Sequence, residues 1–128
     1  GIRREDREKR RLWDATQLGF MGAPNVIIVY TDKVLGSGRG DGCGIMPFLD
    51  VGAVLQNIAL VALNYGLGCC FMGAIARCPH ILKGMLTIPE TKNILIGMAI
   101  GYPDWGNIVN SFRSLRDPMD VFVTWHGI

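Results

Sequence analysis

The feature that most constrains the fold is a run of 26 residues, 51–76, that carries no charged side chain. Such a run is long enough to cross a lipid bilayer. Three amide side chains interrupt it and two glycines break it near the middle: Gln56, Asn57, Asn64, Gly66 and Gly68. We therefore interpret the run as a buried helix followed by a buried strand, and we expect no membrane span.

The helix is predicted over residues 51–65, where Asp50 can act as the N-cap and Gly66 supplies the stop. Its residues are apolar on nearly every side, which predicts burial on most faces. A chain of 128 residues offers few other elements to cover such a helix. We therefore expect one face to lie against a partner subunit, most simply in a homodimer.

The remaining pattern contains both helices and strands and predicts an α+β domain. The apolar run 94–101 is typical of a central strand buried on both faces. The other predicted elements are a helix over 3–18, strands over 25–30, 68–73 and 121–127, a short helix between Pro79 and Pro89, and an irregular segment over 106–118. No repeat or linker divides the chain.

The charge is concentrated at the start of the chain. Residues 1–14 carry six basic and four acidic side chains, and the rest of the chain is neutral overall. The signs alternate in RREDREKRR, residues 3–11, as on the solvated, ion-paired face of a helix. No aromatic residues are interleaved with these bases, as a single-strand nucleic-acid groove would require. We expect no nucleic-acid partner.

The four cysteines, Cys43, Cys69, Cys70 and Cys78, do not form a disulfide framework. Cys69 and Cys70 are adjacent, and an extended chain directs them to opposite faces. Together with the absence of a signal-peptide pattern, this favours a reducing, cytoplasmic setting. The spacing of Cys69, Cys70, Cys78 and His80 does not match a zinc site, and we expect no metal.

Residues 36–44, GSGRGDGCG, are predicted to form a loop. The glycines suggest a phosphate cradle, but the segment has neither GxGxxG between a strand and a helix nor GK[ST]. We interpret it as a flexible loop without a ligand.

Six short motifs, in order and with matching spacing, make the chain similar to the FMN-dependent nitroreductase family. That family commonly shows D-x-G-x-x-x-Q-N-x-x-L-x-A followed by L-G-L-G and a C-W-I-G-A-like tail, then L-G-I-P-E, I-G-Y-P and R-x-P-L-E. The corresponding segments here are DVGAVLQNIALVALNYGLGCCFMGA (50–74), LTIPE (86–90), IGYP (100–103), RDPMD (116–120) and VTWHG (123–127). Ala23-Pro24, followed by an apolar strand, also fits the resemblance. The resemblance implies a nitroreductase-like α+β fold with a mixed or antiparallel central sheet flanked by helices and a central buried helix at a dimer interface.

The resemblance implies a flavin site with two parts. Phe71-Met72-Gly73-Ala74 match the family segment that runs along the isoalloxazine ring, and the Gly73 amide is expected to face flavin N5. Arg116 matches the family's late phosphate arginine, a suitable partner for the dianionic phosphate. Ser114 stands where some members carry a lysine and could still donate a hydrogen bond. Alternatively, Phe71 and Met72 are simply core residues.

The resemblance also implies the activity. NADH or NADPH would donate hydride to FMN, leave, and be replaced by a nitroaromatic, quinone or similar acceptor in a ping-pong exchange. This chemistry needs no protein acid or base, so we assign no catalytic side chain. Two alternatives stay open: a non-catalytic dimerisation or ligand-binding remnant without flavin, and other chemistry on the same fold, such as reductive dehalogenation or flavin breakdown.

The sequence departs from the family at its amino-terminal end. Family members open with an R-R-S-x-R-like segment that grips the phosphate and ribityl chain, and RREDREKRR lacks the serine and the spacing. The family's first helices have no counterpart here either. We therefore expect residues 1–128 to form a single nitroreductase-like domain shortened at its amino-terminal end.

Overall fold

A computed structural model describes residues 2–36 and 43–127 of the chain. The predicted loop 36–44 therefore lies largely outside the described residues. The helices are α1 (Arg7–Leu18), α2 (Lys33–Gly36), α3 (Met46–Asn64) and α4 (Pro79–Leu86), and the strands are β1 (Asn25–Asp32), β2 (Gly68–Met72) and β3 (Lys92–Gly101).

The three strands form one antiparallel sheet in the order β1-β3-β2. At one end of the sheet Asn25 lies opposite Ile100 and Gly68 opposite Gly101. At the other end of β2, Met72 lies opposite Gly97. The arrangement confirms the α+β prediction and the antiparallel form of the sheet.

β3 is the central strand, as its uninterrupted apolar sequence predicts. It pairs with β1 from Lys92 to Ile100, with one bulge, and over its second half with β2. It begins two residues before the predicted start, where the Lys92 ammonium lies 2.6 Å from the Asp32 carboxylate. The ion pair and the backbone pairing of Lys92 with Asp32 explain why two polar residues extend the strand.

The core is centred on three side chains from different elements, Met72, Ile75 and Ala99. Gly97 of β3 is buried against it, and a β-carbon added there would overlap with Ile75 Cδ1. A side chain on that face of the central strand would occupy the space that Ile75 fills. Gly97 is therefore required for packing, and it does not adopt a positive φ.

α1 begins later than the predicted 3–18 because Asp6 caps it. The Asp6 carboxylate accepts the Lys9 amide at 3.1 Å and lies 3.0 Å from the Lys9 ammonium. After Gly19 the chain turns through three consecutive residues with positive φ, Phe20, Met21 and Gly22. This reversal directs the chain from α1 into β1.

α3 begins at Met46, so the prediction that Asp50 is its N-cap is wrong. Pro47 lies in the first turn, where its fixed φ favours a helix start and its missing N–H costs nothing. Nothing between Met46 and Asp50 breaks the helix. The other end agrees with the prediction: Gly66 has φ +69, and the Leu67 amide donates to the Ala62 carbonyl at 3.0 Å.

Only Leu55 and Ala62 of α3 are buried among the described residues. The prediction of burial on most faces is therefore wrong for the isolated chain, because β2 is the main element that contacts the helix. α3 is long and apolar enough to cross a membrane, but a core helix of a soluble protein can have the same length and composition. Coverage by a partner subunit stays a prediction.

The predicted strand over 121–127 is wrong. Met119–Val121 form a 3-10 turn, and the described residues after it, up to Gly127, adopt no regular structure. Their apolar, β-branched pattern resembles a strand, but a strand requires a neighbour to pair with. Within the described part of the chain this segment pairs with neither edge of the sheet.

Candidate functional site

The segment predicted to run along a flavin ring lies where β2 ends and a 3-10 turn, Gly73–Arg77, begins. Side chains alternate across the strand, so Phe71 is 46% exposed whereas Met72 is 2% exposed. Gly73 follows on the surface, and Ala74 is half-buried. The four residues therefore present Phe71 and Gly73 outward and Met72 to the core.

Gly73 is open on the side where a side chain would stand. A β-carbon built there would meet no other atom within 4 Å. The backbone at Gly73 does not require glycine, because its φ is not positive. An open position of this kind lets a flat ligand approach the main chain closely.

Met72 packs with Ile75 and Ala99 in the core. Its side chain therefore has a structural role, and a contact with a ligand would have to use its backbone. This matches the core interpretation for Met72 but not for the exposed Phe71. A flavin contact at Phe71, Met72, Gly73 and Ala74 stays a prediction.

The second predicted group, Ser114 and Arg116, lies in the exposed segment that follows the 3-10 turn Ile108–Ser111. The Arg116 guanidinium donates to the Ser114 hydroxyl and to the Leu115 carbonyl, the latter at 2.9 Å. In the described ranges, 2–36 and 43–127, no carboxylate pairs with Arg116. Within these ranges its positive charge therefore has no carboxylate counter-ion.

These residues fit the needs of FMN in their chemistry. An exposed aromatic side chain and an open glycine backbone suit a flat ring, and an unneutralised guanidinium beside a hydroxyl suits a phosphate. The structure brings Ser114 and Arg116 together, and it places Phe71, Met72, Gly73 and Ala74 consecutively. No described hydrogen bond joins the two groups, and their membership of one flavin site stays a prediction.

A cleft that the sequence did not indicate lies at the end of the sheet where β1 begins and β3 ends. Its volume is about 450 Å³, and its wall includes the chain reversal after α1 and the turn after β3. In that turn Asp104 accepts the Gly106 amide at 3.0 Å, and its carbonyl accepts the Asn110 side-chain amide at 2.7 Å. These polar groups stabilise the turn, so we assign them no chemical role.

Thiol chemistry has little support at the described cysteines. Cys69, Cys70 and Cys78 are free, and burial raises the pKa of the Cys69 thiol, which keeps it protonated. Among the described residues, no three His, Cys, Asp or Glu side chains gather as a metal site. Cys70 Sγ instead lies 3.9 Å from Met21 Sδ, beside the core.

Comparison with known proteins gives concordant matches. The model of the nitroreductase family matches residues 2–102. A 4-nitrobenzoate reductase of Pseudomonas putida is 32% identical over 84% of this chain and 44% of its own length. A chloronitrobenzene nitroreductase of Comamonas testosteroni is 29% identical over 98% of this chain and 52% of its own.

Solved structures show the same fold. The FMN- and NADPH-dependent nitroreductase NfnB of Sphigopyxis sp. strain HMH aligns with a TM-score of 0.86 at 23% identity, over all of this chain and 54% of its own. The NADPH:FMN oxidoreductase of Vibrio harveyi aligns with a TM-score of 0.66 at 23% identity, over 94% of this chain and 55% of its own. The chain thus spans about half the length of the proteins it matches.

Proposed function

Because the chain belongs to the nitroreductase family, we propose that it forms part of an FMN-dependent oxidoreductase. The enzyme would use NADH or NADPH to reduce nitroaromatic compounds, quinones or similar acceptors. The names of its relatives, which include a 4-nitrobenzoate reductase and an NADPH-flavin oxidoreductase of Vibrio harveyi, support this class of activity. The single observation on this chain that carries the proposal is the open backbone at Gly73, beside the exposed Phe71.

The residues of the chain would bind and orient the flavin. The Gly73 amide would face the reactive edge of the ring, because no side chain keeps the ring away. Phe71 would add apolar surface, and Met72 would anchor the end of β2 in the core. Ser114 and Arg116 would bind the phosphate through their hydroxyl and guanidinium groups.

The chemistry that a bound FMN supplies is two-electron transfer: a hydride from NADH or NADPH, joined by one proton, reduces a nitro group to a nitroso group with release of water, or a quinone to a hydroquinone. The proton can come from solvent because the predicted site is exposed. We therefore assign the protein a positioning role and no catalytic side chain.

Absorbance spectroscopy provides the primary test. The purified protein is mixed with FMN, freed of excess cofactor, and scanned for a retained flavin spectrum; NADH or NADPH oxidation is then followed with 4-nitrobenzoate as acceptor. Retention of flavin with acceptor-dependent oxidation would support the proposal. Failure to retain FMN, by this chain and by any longer chain that contains it, would contradict it.

We expect Arg116→Ala to weaken FMN binding by about tenfold or more, since it removes a charge-assisted contact to the phosphate. The measurement is the Kd of FMN from quenching of flavin fluorescence. Arg113→Ala is the matched control, because Arg113 lies in the same segment and donates to the carbonyls of Asn110 and Phe112. Equal affinity in both variants and the unmodified protein would remove Arg116 from the site.

We further propose that the protein is a homodimer in which α3 packs against a partner subunit. An apolar groove of about 440 Å³ runs along this helix, and its wall includes Val54, Ile58 and Val61. Val54 and Val61, two turns apart, are both exposed in the single chain. Leaving such a face in water is unfavourable, whereas a second subunit would bury it.

Introducing a charge on this face should dissociate the dimer. We expect Val61→Glu to shift the molecular mass measured by light scattering from dimer to monomer, because a carboxylate would be buried without a partner. Met85→Glu on α4 is the control, since Met85 is also exposed but lies off the groove. A dimer that persists in Val61→Glu would place the interface elsewhere.

The rest of the assignment follows from the same proposal. We propose that residues 1–128 belong to one nitroreductase-like domain, in which β1, β2 and β3 share a single sheet. We also propose a cytoplasmic setting, which the free thiols of Cys69, Cys70 and Cys78 support.

A non-catalytic dimerisation or ligand-binding module is the second candidate. It is favoured by the exposed apolar face of α3, which this chain forms by itself, whereas no described hydrogen bond joins residues 71–74 to Ser114 and Arg116. Under this alternative Val61→Glu would still dissociate the dimer, but the protein would not retain FMN. The two measurements therefore separate the candidates.

A further inference from the structure

A pocket at the start of the chain lies outside the residues assigned to the flavin. It is lined by Ile2, Arg4, Arg10, Trp13 and Val109, and we refer to it as the arginine–tryptophan pocket. Its volume is about 590 Å³, within the range of about 300–1,000 Å³ that small-molecule sites occupy. Its wall joins α1 to the 3-10 turn Ile108–Ser111.

The two arginines bring positive charge that no carboxylate among the described residues pairs with. The Arg10 guanidinium donates to the Arg4 carbonyl at 3.3 Å, which holds its cationic head beside residue 4. In the described part of the chain neither arginine forms an ion pair. The nearby Asp6 carboxylate is paired with Lys9 at 3.0 Å, and Asp14 does not line the pocket.

The rest of the wall is apolar and partly flat. Trp13 is 38% exposed and Ile2 45% exposed, so both offer surface to a ligand. An indole ring stacks well on another planar group, and the methyl groups of Ile2 and Val109 favour an apolar body. The pocket therefore combines anion recognition with a surface for a flat, apolar ring.

We propose that the arginine–tryptophan pocket binds an aromatic carboxylate. The carboxylate would accept hydrogen bonds from the guanidinium groups of Arg4 and Arg10, whose planar forks match its two oxygens. The ring would lie against Trp13. A small inorganic anion would satisfy the arginines but leave the apolar wall in water, so the carboxylate and the ring are both part of the recognised ligand.

The test uses isothermal titration calorimetry with three probes on the purified protein: benzoate, its neutral analogue benzamide, and inorganic phosphate. We expect benzoate to bind and both other probes to bind at least tenfold more weakly. Arg10→Gln and Arg4→Gln should each weaken benzoate binding by about tenfold or more, because a charge-assisted contact is lost.

Arg11→Gln is the matched control, since Arg11 follows Arg10 on the same helix and does not line the pocket. It should leave benzoate binding unchanged. Circular dichroism of the variants, all at exposed positions, establishes that they are folded.

Three results would overturn the proposal. The first is no benzoate binding at millimolar concentrations. The second is equal weakening by Arg11→Gln and Arg10→Gln, which would indicate only a general attraction of the basic helix. The third is binding of phosphate as tight as that of benzoate, which would exclude a role for Trp13 and the apolar wall. None of these results depends on FMN, so the test is independent of the proposed reductase activity.

Discussion

Gly97→Ala is expected to lower the free energy of unfolding by about 1–3 kcal/mol, the usual cost of an extra methyl group in a tightly packed core. The new β-carbon would overlap with Ile75 Cδ1, and the next atoms, Ile75 Cγ1 and Ile28 Cδ1, lie 3.4 and 3.5 Å away. Central strand and core must shift together to make room. Urea unfolding, read from the midpoint at constant slope, measures the loss.

A compensating variant tests this cause directly. Ile75→Val removes the Cδ1 atom that causes the overlap and by itself costs about 0.5–1.5 kcal/mol. In the double variant we expect the loss of unfolding free energy to be smaller, by about 1 kcal/mol or more, than the sum of the two single losses. Simple additivity of the two losses would show that the overlap with Ile75 is not what makes glycine necessary at position 97.

Gly84→Ala is the matched control for a glycine that is not packed. An added β-carbon at Gly84 meets nothing within 4 Å, and the residue lies inside α4. Alanine there should stabilise the protein by up to about 1 kcal/mol because it favours the helix. The same substitution, glycine to alanine, is thus expected to raise the free energy of unfolding at position 84 and to lower it at position 97.

Gly73→Val is expected to have the largest effect on the proposed function. A branched side chain at this open position would occupy the space through which the flavin must approach the main chain. We expect FMN binding to weaken more than about tenfold, equivalent to 1.4 kcal/mol, while the free energy of unfolding changes by less than about 0.5 kcal/mol. Flavin fluorescence and urea unfolding measure the two quantities on the same preparation.

The affinities of the Gly73 variants are measured only after the unmodified protein has been shown to bind FMN. Gly73→Ala, with its smaller side chain, should weaken binding less than Gly73→Val, and Gly84→Ala should not change it. Wild-type affinity in Gly73→Val would show that the backbone at the end of β2 does not touch the cofactor. A large loss of stability would instead indicate that Gly73 is needed for packing.

The two glycines illustrate why a sequence motif and a structural role must be distinguished. Both stand in apolar segments, and only Gly73 falls in a motif of the family. The structure shows that Gly97 is enclosed by Ile75 and that Gly73 is open. An enclosed glycine is explained by the fold, whereas an open one with an ordinary φ leaves room for a ligand.

Local chemistry determined much of the fold from the sequence alone. The unbroken apolar pattern of residues 94–101 identified the central strand, and Gly66 identified the end of α3, because hydrophobic periodicity and the freedom of glycine act over a few residues. The ordered motifs also indicated the nitroreductase family. The family model, which matches residues 2–102, confirmed this prediction. The start of α3 was missed because Pro47 proved a stronger signal than the capping ability of Asp50.

Only the tertiary structure decided what these elements contact. The segment 121–127 has a strand-like sequence but no strand to pair with, and the apolar helix α3 has too little of the described chain around it to be buried. The same holds for the candidate sites: the sequence contained Arg4, Arg10 and Trp13, but only the fold places Val109 beside them. Pairing, burial and pocket formation depend on residues far apart in the chain, so a local pattern does not determine them.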